Sequence, residues 1–521
     1  GAVLLQRELL QRTGRQRLPG QQGPQDVGRG LARQQRVHGV CRLLQREAHG
    51  DMRLQLALAV PGQHLVEVLA RLGRLAAAPG AVEHAAHVAA LQQREVGRQR
   101  RDAARREAHH QQAPVPGDAA DIFYLVTDRG PNNDTVQPDK SAGTGFVVPT
   151  FSPLILKVQL TGTSVQVLET IAIKTKTGAG ATGLPNVKGY DAVPTDVKGI
   201  TADSLYNLAG LDAEGLVKTA NGDFWTVDEY APSLAQLSST GVVKARYVPA
   251  GWKGNPTTFK AVKSIPEIYL KRKANRGFEA LALTPDGKTL FVGLQSPLLN
   301  PSKSVGDASL ATRILRFDIA SKNFTGEYVF GFEKVSVVDA KATKNSDLKL
   351  SAMVALDANT LLVQERTDNS YLLSTITIDD NANILGSKWD LAATTPSLES
   401  YTGAGTNAEI EALIAASKKK IVFNSTSIPS MPGKIEGVAV LDANHIVVVN
   451  DNDFNFAYNA TSGLVEIGKL KTSFLTIKLP VALPNYPEAS AAKFGKLCSK
   501  AGLVAAELTC KASAGQLRWR K

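Results

Sequence analysis

The chain has 521 residues, 43% hydrophobic and 21% charged, with a formal net charge of +12. The excess is uneven: residues 1–120 carry 18 arginines against 10 acids, whereas the rest carries 42 basic and 38 acidic side chains. A body so nearly balanced lacks the concentrated basic stripe that nucleic acid requires, and no apolar run reaches the roughly 20 residues of a membrane-spanning helix.

Residues 1–120 contain no Lys, Asn, Ile, Ser, Phe, Tyr or Trp, yet hold seven of the eight histidines. With so few aromatic and β-branched residues, a packed core is hard to build from them. The expectation is a low-complexity arm rich in Arg, Gln and Ala, either disordered or outside the native reading frame. Its histidines have no Cys or acid at metal-ligand spacing. The first residues also lack the charged-then-apolar layout of a secretory signal.

From Asp121 the character changes. The run DIFYLV reads as a strand ending at Thr127-Asp128-Arg129, and the following GPNN is a tight turn. Strands are expected over 155–159 and 165–168. The glycine-rich loop at 176–189 lacks the Gly-Lys-Ser/Thr ending of a phosphate-binding loop. A hairpin unit then recurs. Asp212-Ala213-Glu214-Gly215 leads through Asn221-Gly222 to FWTV and Asp228-Glu229. Arg276-Gly277-Phe278-Glu279 leads through Asp286-Gly287 to LFVGL and Gln295. A weaker copy, SAMVALDANTLLVQER, has Ser351 in place of the acid and ends at Glu365-Arg366. One helix is expected over 407–418, capped by Thr406. The clearest unit is KIEGVAVLDANHIVVVNDNDF at 434–454, in which Glu436 opens one strand and Asn450-Asp451-Asn452-Asp453 ends the next.

Each hairpin brings its two polar ends together, and repeated hairpins with polar ends on one side line the central mouth of a β-propeller. The expected fold is all-β, a propeller over 121–487; six blades would take about 60 residues each, above the usual 40–45. A tail at 488–521 holds Cys498 and Cys510, which are either a disulfide or two reduced thiols.

Crowded carboxylates repel unless a cation lies between them. Glu214, Glu279, Glu436, Asp228, Asp451, Asp453, Asn450 and Asp128 offer only oxygen ligands, which suit a hard ion such as Ca2+. Arg129, Arg276, Arg366 and Lys434, with Gln295, stand at strand ends where they can hold phosphoryl oxygens. The body has one histidine, His445, in mid-strand, and no cysteine before Cys498, which disfavours histidine-based and thiol chemistry. The expected chemistry is metal-assisted hydrolysis of a small phosphorylated substrate, with Arg129, Arg276 and Arg366 stabilising charge and Glu229 or Glu436 accepting the water's proton. Asn221, Asp286, Asp442 and Asn444 are ordinary turn formers; a carboxylate opening an apolar strand is not needed for turning.

The motifs TDRGPN, EGLV with DEYAPS, RGFEALALTPDGKTLFVGLQSPL, RILRFD, VQERTDN and KIEGVAVLDANHIVVVNDNDF, in this order, resemble the phytase-like family described by its "esterase-like activity". That resemblance implies an exported β-propeller, periplasmic or secreted, assigned to phosphoester hydrolysis with calcium. The paired-aspartate and Asn-Asn-Val-Asp motifs of β-propeller phytases are absent, and no hairpin partner for the strand at 121–126 is recognisable upstream. Two other readings stay open: a lactonase on the same architecture, and a calcium-stabilised propeller that only binds.

Overall fold

The recurring hairpins fold as the inner halves of radial sheets. In the computed structural model the chain divides into residues 1–102 and 103–521. The described residues all belong to the second unit: 118–486, apart from 120, 163, 460–463 and 469, with three short strands between 504 and 520. The expectations for the arm below residue 118 and for Cys498 lie outside them.

Five sheets form the body. Blade 1 comprises Ile122–Val126, Leu154–Thr161 and Ser164–Ala172. Blade 2 runs outward from Ala213–Lys218 through Phe224–Asp228, Ser233–Leu237 and Val243–Pro249 to Lys260–Ile265. Blade 3 holds Phe278–Leu283, Thr289–Leu294, Ala311–Asp318 and Asn323–Gly331. Blade 4 holds Lys349–Ala355, Thr360–Arg366, Tyr371–Thr377 and Lys420–Asn424. Blade 5 holds Ile435–Asp442, His445–Asn450 and Phe474–Lys478.

The innermost strands of consecutive blades lie side by side, and blade 5 returns to blade 1 through Phe123, Leu125, Leu156, Val158, Ala439 and Val449. The protein is therefore a β-propeller, with five sheets among the described residues where six were expected. Surplus length lies in loops such as 378–419, between the third and fourth strands of blade 4. That loop holds the helix Ala408–Ala416, whose cap is Asn407 instead of Thr406: the Asn407 side chain accepts from the N–H groups of Glu409 and Ile410, while Thr406 Oγ1 donates to Gly403 O.

Apolar side chains fill the wedges between blades. Trp225 and Tyr247 of blade 2 pack on Phe317 of blade 3, with ring centroids 5.4 and 4.8 Å from it. Leu350, Met353 and Val363 of blade 4 pack on Ala280 and Phe291 of blade 3. Removing these surfaces from water is the main stabilising term.

Blade 1 differs from the others. The innermost strands of blades 2–5 begin at the end bearing the glutamates, whereas Ile122–Val126 finishes there, at Asp128-Arg129. It thus matches the second strand of the other hairpins, and the first has no counterpart among the described residues. Loops 127–153, 173–212 and 451–473 all emerge at this same end. They carry a small sheet of Asn132–Val136, Ala142–Phe146 and Val193–Thr195, and a hairpin of Phe456–Asn459 and Leu464–Ile467. Phe151 meets Phe454 edge-on at 5.3 Å, so the loops of blades 1 and 5 form a cap beside the mouth.

Candidate functional site

A register shift aims the acids. In the pairing of blade 3, Phe278 faces Leu294 and Ala280 faces Gly293, leaving Glu279 as an extra residue. Blade 5 does the same at Glu436, between Ile435 and Gly437. Blade 2 shifts between Ala213 and Leu216, the stretch holding Glu214, and blade 4 shifts between Leu350 and Ala352, at Ser351. Such bulges bend a strand and redirect one side chain. Here they occur at one level in four blades. Close approach of the strands completes the convergence: a Cβ on Gly215 would stand 2.7 Å from the backbone N of Leu281.

Carboxylates from three blades consequently meet. Oxygens of Glu214, Glu279 and Glu436 all lie within 4.8 Å of one another, as do those of Asp212, Glu214 and Glu229, and all five side chains are buried. Burial first, then the charges of Glu279, Glu229, Asp212 and Glu436, push the Glu214 carboxyl well above its ordinary value. Glu229 is pushed up by burial, Glu279 and Asp212, against the pull of Arg129 and Arg276. Gln295 lies between the two groups: its Nε2 donates to Glu229 Oε1 at 2.7 Å and Glu279 Oε2 at 2.6 Å. Gln295 is 4% exposed, and its Oε1 has no hydrogen-bond partner among the described residues.

Guanidinium groups ring the acids. Arg366 donates through Nε to Ser351 Oγ at 2.7 Å and through Nη2 to Glu436, and that Nη2 is 3.8 Å from Glu279. Burial opposes its charge, but Glu436 and Glu279 hold its pKa above the usual value. Arg129 bonds Asp212 twice, through its backbone N–H at 3.1 Å and Nη1 at 2.6 Å. Arg276 donates to Ser296 Oγ at 3.2 Å; burial lowers its pKa, and Arg366 adds to that while Glu229 opposes it. Lys349, 2.6 Å from Asp368, is brought to about 8 by burial and by Arg366 and Arg276.

The remaining expected residues lie elsewhere or have other partners. Asp228 is fully buried but paired with Arg246, and it also accepts from Ser233 Oγ and from the backbone N–H groups of Asp212 and Tyr230. Burial raises it to about 6 against Arg246. Asn450 Oδ1 accepts from Ser473 N–H at 2.6 Å, and its amide donates to the carbonyls of Asp451 and Lys471. Asp128 Oδ1 accepts from Gly130 N–H at 2.7 Å, and Asp451 Oδ1 from Asp453 N–H at 2.7 Å. Asp453 is exposed and pairs with Lys434. Asp451 acts on the charges of both Arg366 and Lys434, so it borders the cluster. Three contributors were not singled out in the sequence: Asp212, Lys349 and Asp368. Asp212 stands two residues before Glu214, a spacing that strand alternation could have flagged.

The phytase-like model, described as "esterase-like activity of phytase", matches residues 115–454. The chain belongs to the phytase-like family. An uncharacterized secreted protein of Arthroderma benhamiae is 33% identical to this phytase-like chain over 137 residues, covering 23% of the chain and 26% of that protein. The chain thus spans about a quarter of that relative's length. Among solved structures, the periplasmic gluconolactonase of Pseudomonas aeruginosa is 11% identical, with a TM-score of 0.25 over 72% of this chain and 89% of that one. A luciferin-regenerating enzyme is 10% identical, with a TM-score of 0.30 over 73% and 94%. No helix among the described residues is long and apolar enough to cross a membrane.

Proposed function

We propose that this phytase-like protein is a calcium-dependent phosphoesterase that acts outside the cytoplasm on a small phosphorylated substrate. The observation that carries the reading is the meeting of Glu214, Glu279 and Glu436 from three blades, with Arg366 against two of them. The donor set fits a hard cation: it is all oxygen, buried and mutually repulsive, and the Gln295 carbonyl oxygen has no hydrogen-bond partner among the described residues. Glu214, Glu279 and Glu436, with Asp212 and Glu229, would hold the ion. When bound, calcium would supply polarisation of a phosphoryl group and of a water.

The chain's own residues do the rest. Arg276 and Lys349 lie beside the acids and suit binding of phosphoryl oxygens, Arg276 being steadied by Ser296. Arg366 is committed to Glu436 and Ser351, so it orients a carboxylate as well as adding positive charge. Of the two expected proton acceptors, Glu436 is tied to Arg366, so Glu229, bonded to the Gln295 amide, would take the water's proton through an oxygen that the ion leaves free. Placement outside the cytoplasm is supported by the family resemblance and by the secreted relative.

A panel of phosphomonoesters, phosphodiesters and lactones, each assayed with calcium and with chelator, tests the reading. Phosphoester turnover that calcium supports and chelator abolishes is expected. Turnover of lactones alone would replace it with a lactonase. No turnover, with melting still sensitive to chelator, would leave a binding propeller.

A further inference from the structure

We infer that the mouth holds two adjoining divalent-cation seats that share Glu214. One is formed by Asp212, Glu214 and Glu229, the other by Glu214, Glu279 and Glu436. This deepens the calcium reading and rests on it. Within each trio every ligand oxygen lies within 4.8 Å of the others, a spread that oxygens at about 2.3–2.6 Å from one calcium can span. Glu214 alone belongs to both trios, and a carboxylate has two oxygens to divide between neighbouring ions.

A second observation comes from outside the acids. Gln295 is buried, its amide nitrogen reaches Glu229 of one trio and Glu279 of the other, and its carbonyl oxygen has no hydrogen-bond partner among the described residues. A buried amide oxygen left without a donor costs free energy unless something fills that role, and a hard cation is such a partner.

Charge fits the pair of seats to the proposed substrate. Arg129 and Arg366 compensate Asp212 and Glu436, leaving Glu214, Glu229 and Glu279. Two divalent ions exceed those three carboxylates, and with Arg276 beside them the surplus positive charge suits an anionic phosphoester. A single ion would leave the mouth nearly neutral.

Calorimetric titration of CaCl2 into the metal-stripped full chain tests the inference. Two calcium ions per wild-type chain are expected. Glu229→Gln should bind one, and Glu436→Gln should bind one. Glu214→Gln should weaken both sites at least tenfold. Asp212→Asn and Glu279→Gln replace the first two if either melts below the titration temperature. One ion per wild-type chain, or loss of all calcium in both single-seat variants, would overturn the shared pair while leaving a calcium site standing. No calcium bound by wild type would overturn the pair and the calcium reading together.

Discussion

Replacing Glu214 by glutamine separates the charge of the cluster from its shape. Burial and four neighbouring acids raise the affinity of Glu214 for a proton in the metal-free fold. Its folded-state pKa is raised, so the folded form holds a proton that the unfolded form releases above its ordinary carboxyl value. Stability of the metal-free protein therefore falls as pH rises from about 4.5 toward the raised value, by roughly 1–1.5 kcal/mol per pH unit for this group. The interval from pH 5.5 to 7.5 samples that fall. At about 2.1 cal/mol/K per residue over roughly 370 residues, each kcal/mol corresponds to about 1.3 °C in Tm. Glu214→Gln imitates the protonated acid, so in chelator its Tm should fall less steeply than that of wild type over the same interval. Calcium at about one hundred times the Kd of each seat should stabilise wild type by about 2.7 kcal/mol per seat, about 7 °C for the two, and a tenfold loss of affinity in the variant should roughly halve that shift. Melting curves at both pH values, in chelator and in calcium, give all the numbers. Parallel pH dependence of the two proteins in chelator, or a full calcium shift in the variant, would refute the placement of Glu214 at the centre of the site.

Gly215→Ala puts a Cβ 2.7 Å from Leu281; it should cost about 1–3 kcal/mol by overpacking and lower calcium affinity, read by denaturant melts and titration. Arg246→Met leaves Asp228 buried without its cation, so a loss of about 3–5 kcal/mol is expected, read by denaturant melts in chelator. Arg276→Gln should weaken competitive inhibition by inorganic phosphate about tenfold, in line with loss of a charged hydrogen bond worth about 1.5–3 kcal/mol, while the calcium-induced Tm shift stays as in wild type.

Much of the site was legible from chain order. An acid at the start of an apolar strand, a turn, and a polar cluster after the second strand are enough to bring Glu436 near Asp451, and repetition brings Glu214 and Glu279 to the same level. Spacing within a hairpin could not show which end residues serve the mouth. Asp228 follows a strand just as Asp451 does, yet Arg246, two strands farther out, captures it. Asn450 resembles a ligand by position, but the loop at 471–473 takes up its amide. Partners so distant in sequence leave no local pattern. The register shifts were likewise hidden, because a bulge adds one residue without changing composition. The described residues hold five sheets where six blades were expected, and excursions such as 173–212 and 378–419 use residues that a regular repeat would give to strands.

The blade without an acid has a consequence for the whole ring. Ser351 keeps the bulge but brings no charge, so within its own blade the guanidinium of Arg366 meets a carboxylate only at the sheet's rim, Asp368 at 3.2 Å. It reaches instead to Glu436 on one side and toward Glu279 on the other. A glutamate at 351 would have closed an ion pair inside one sheet and ended its influence there. The serine turns Arg366 into a clasp spanning three sheets, so the missing carboxylate is itself what fastens its neighbours together.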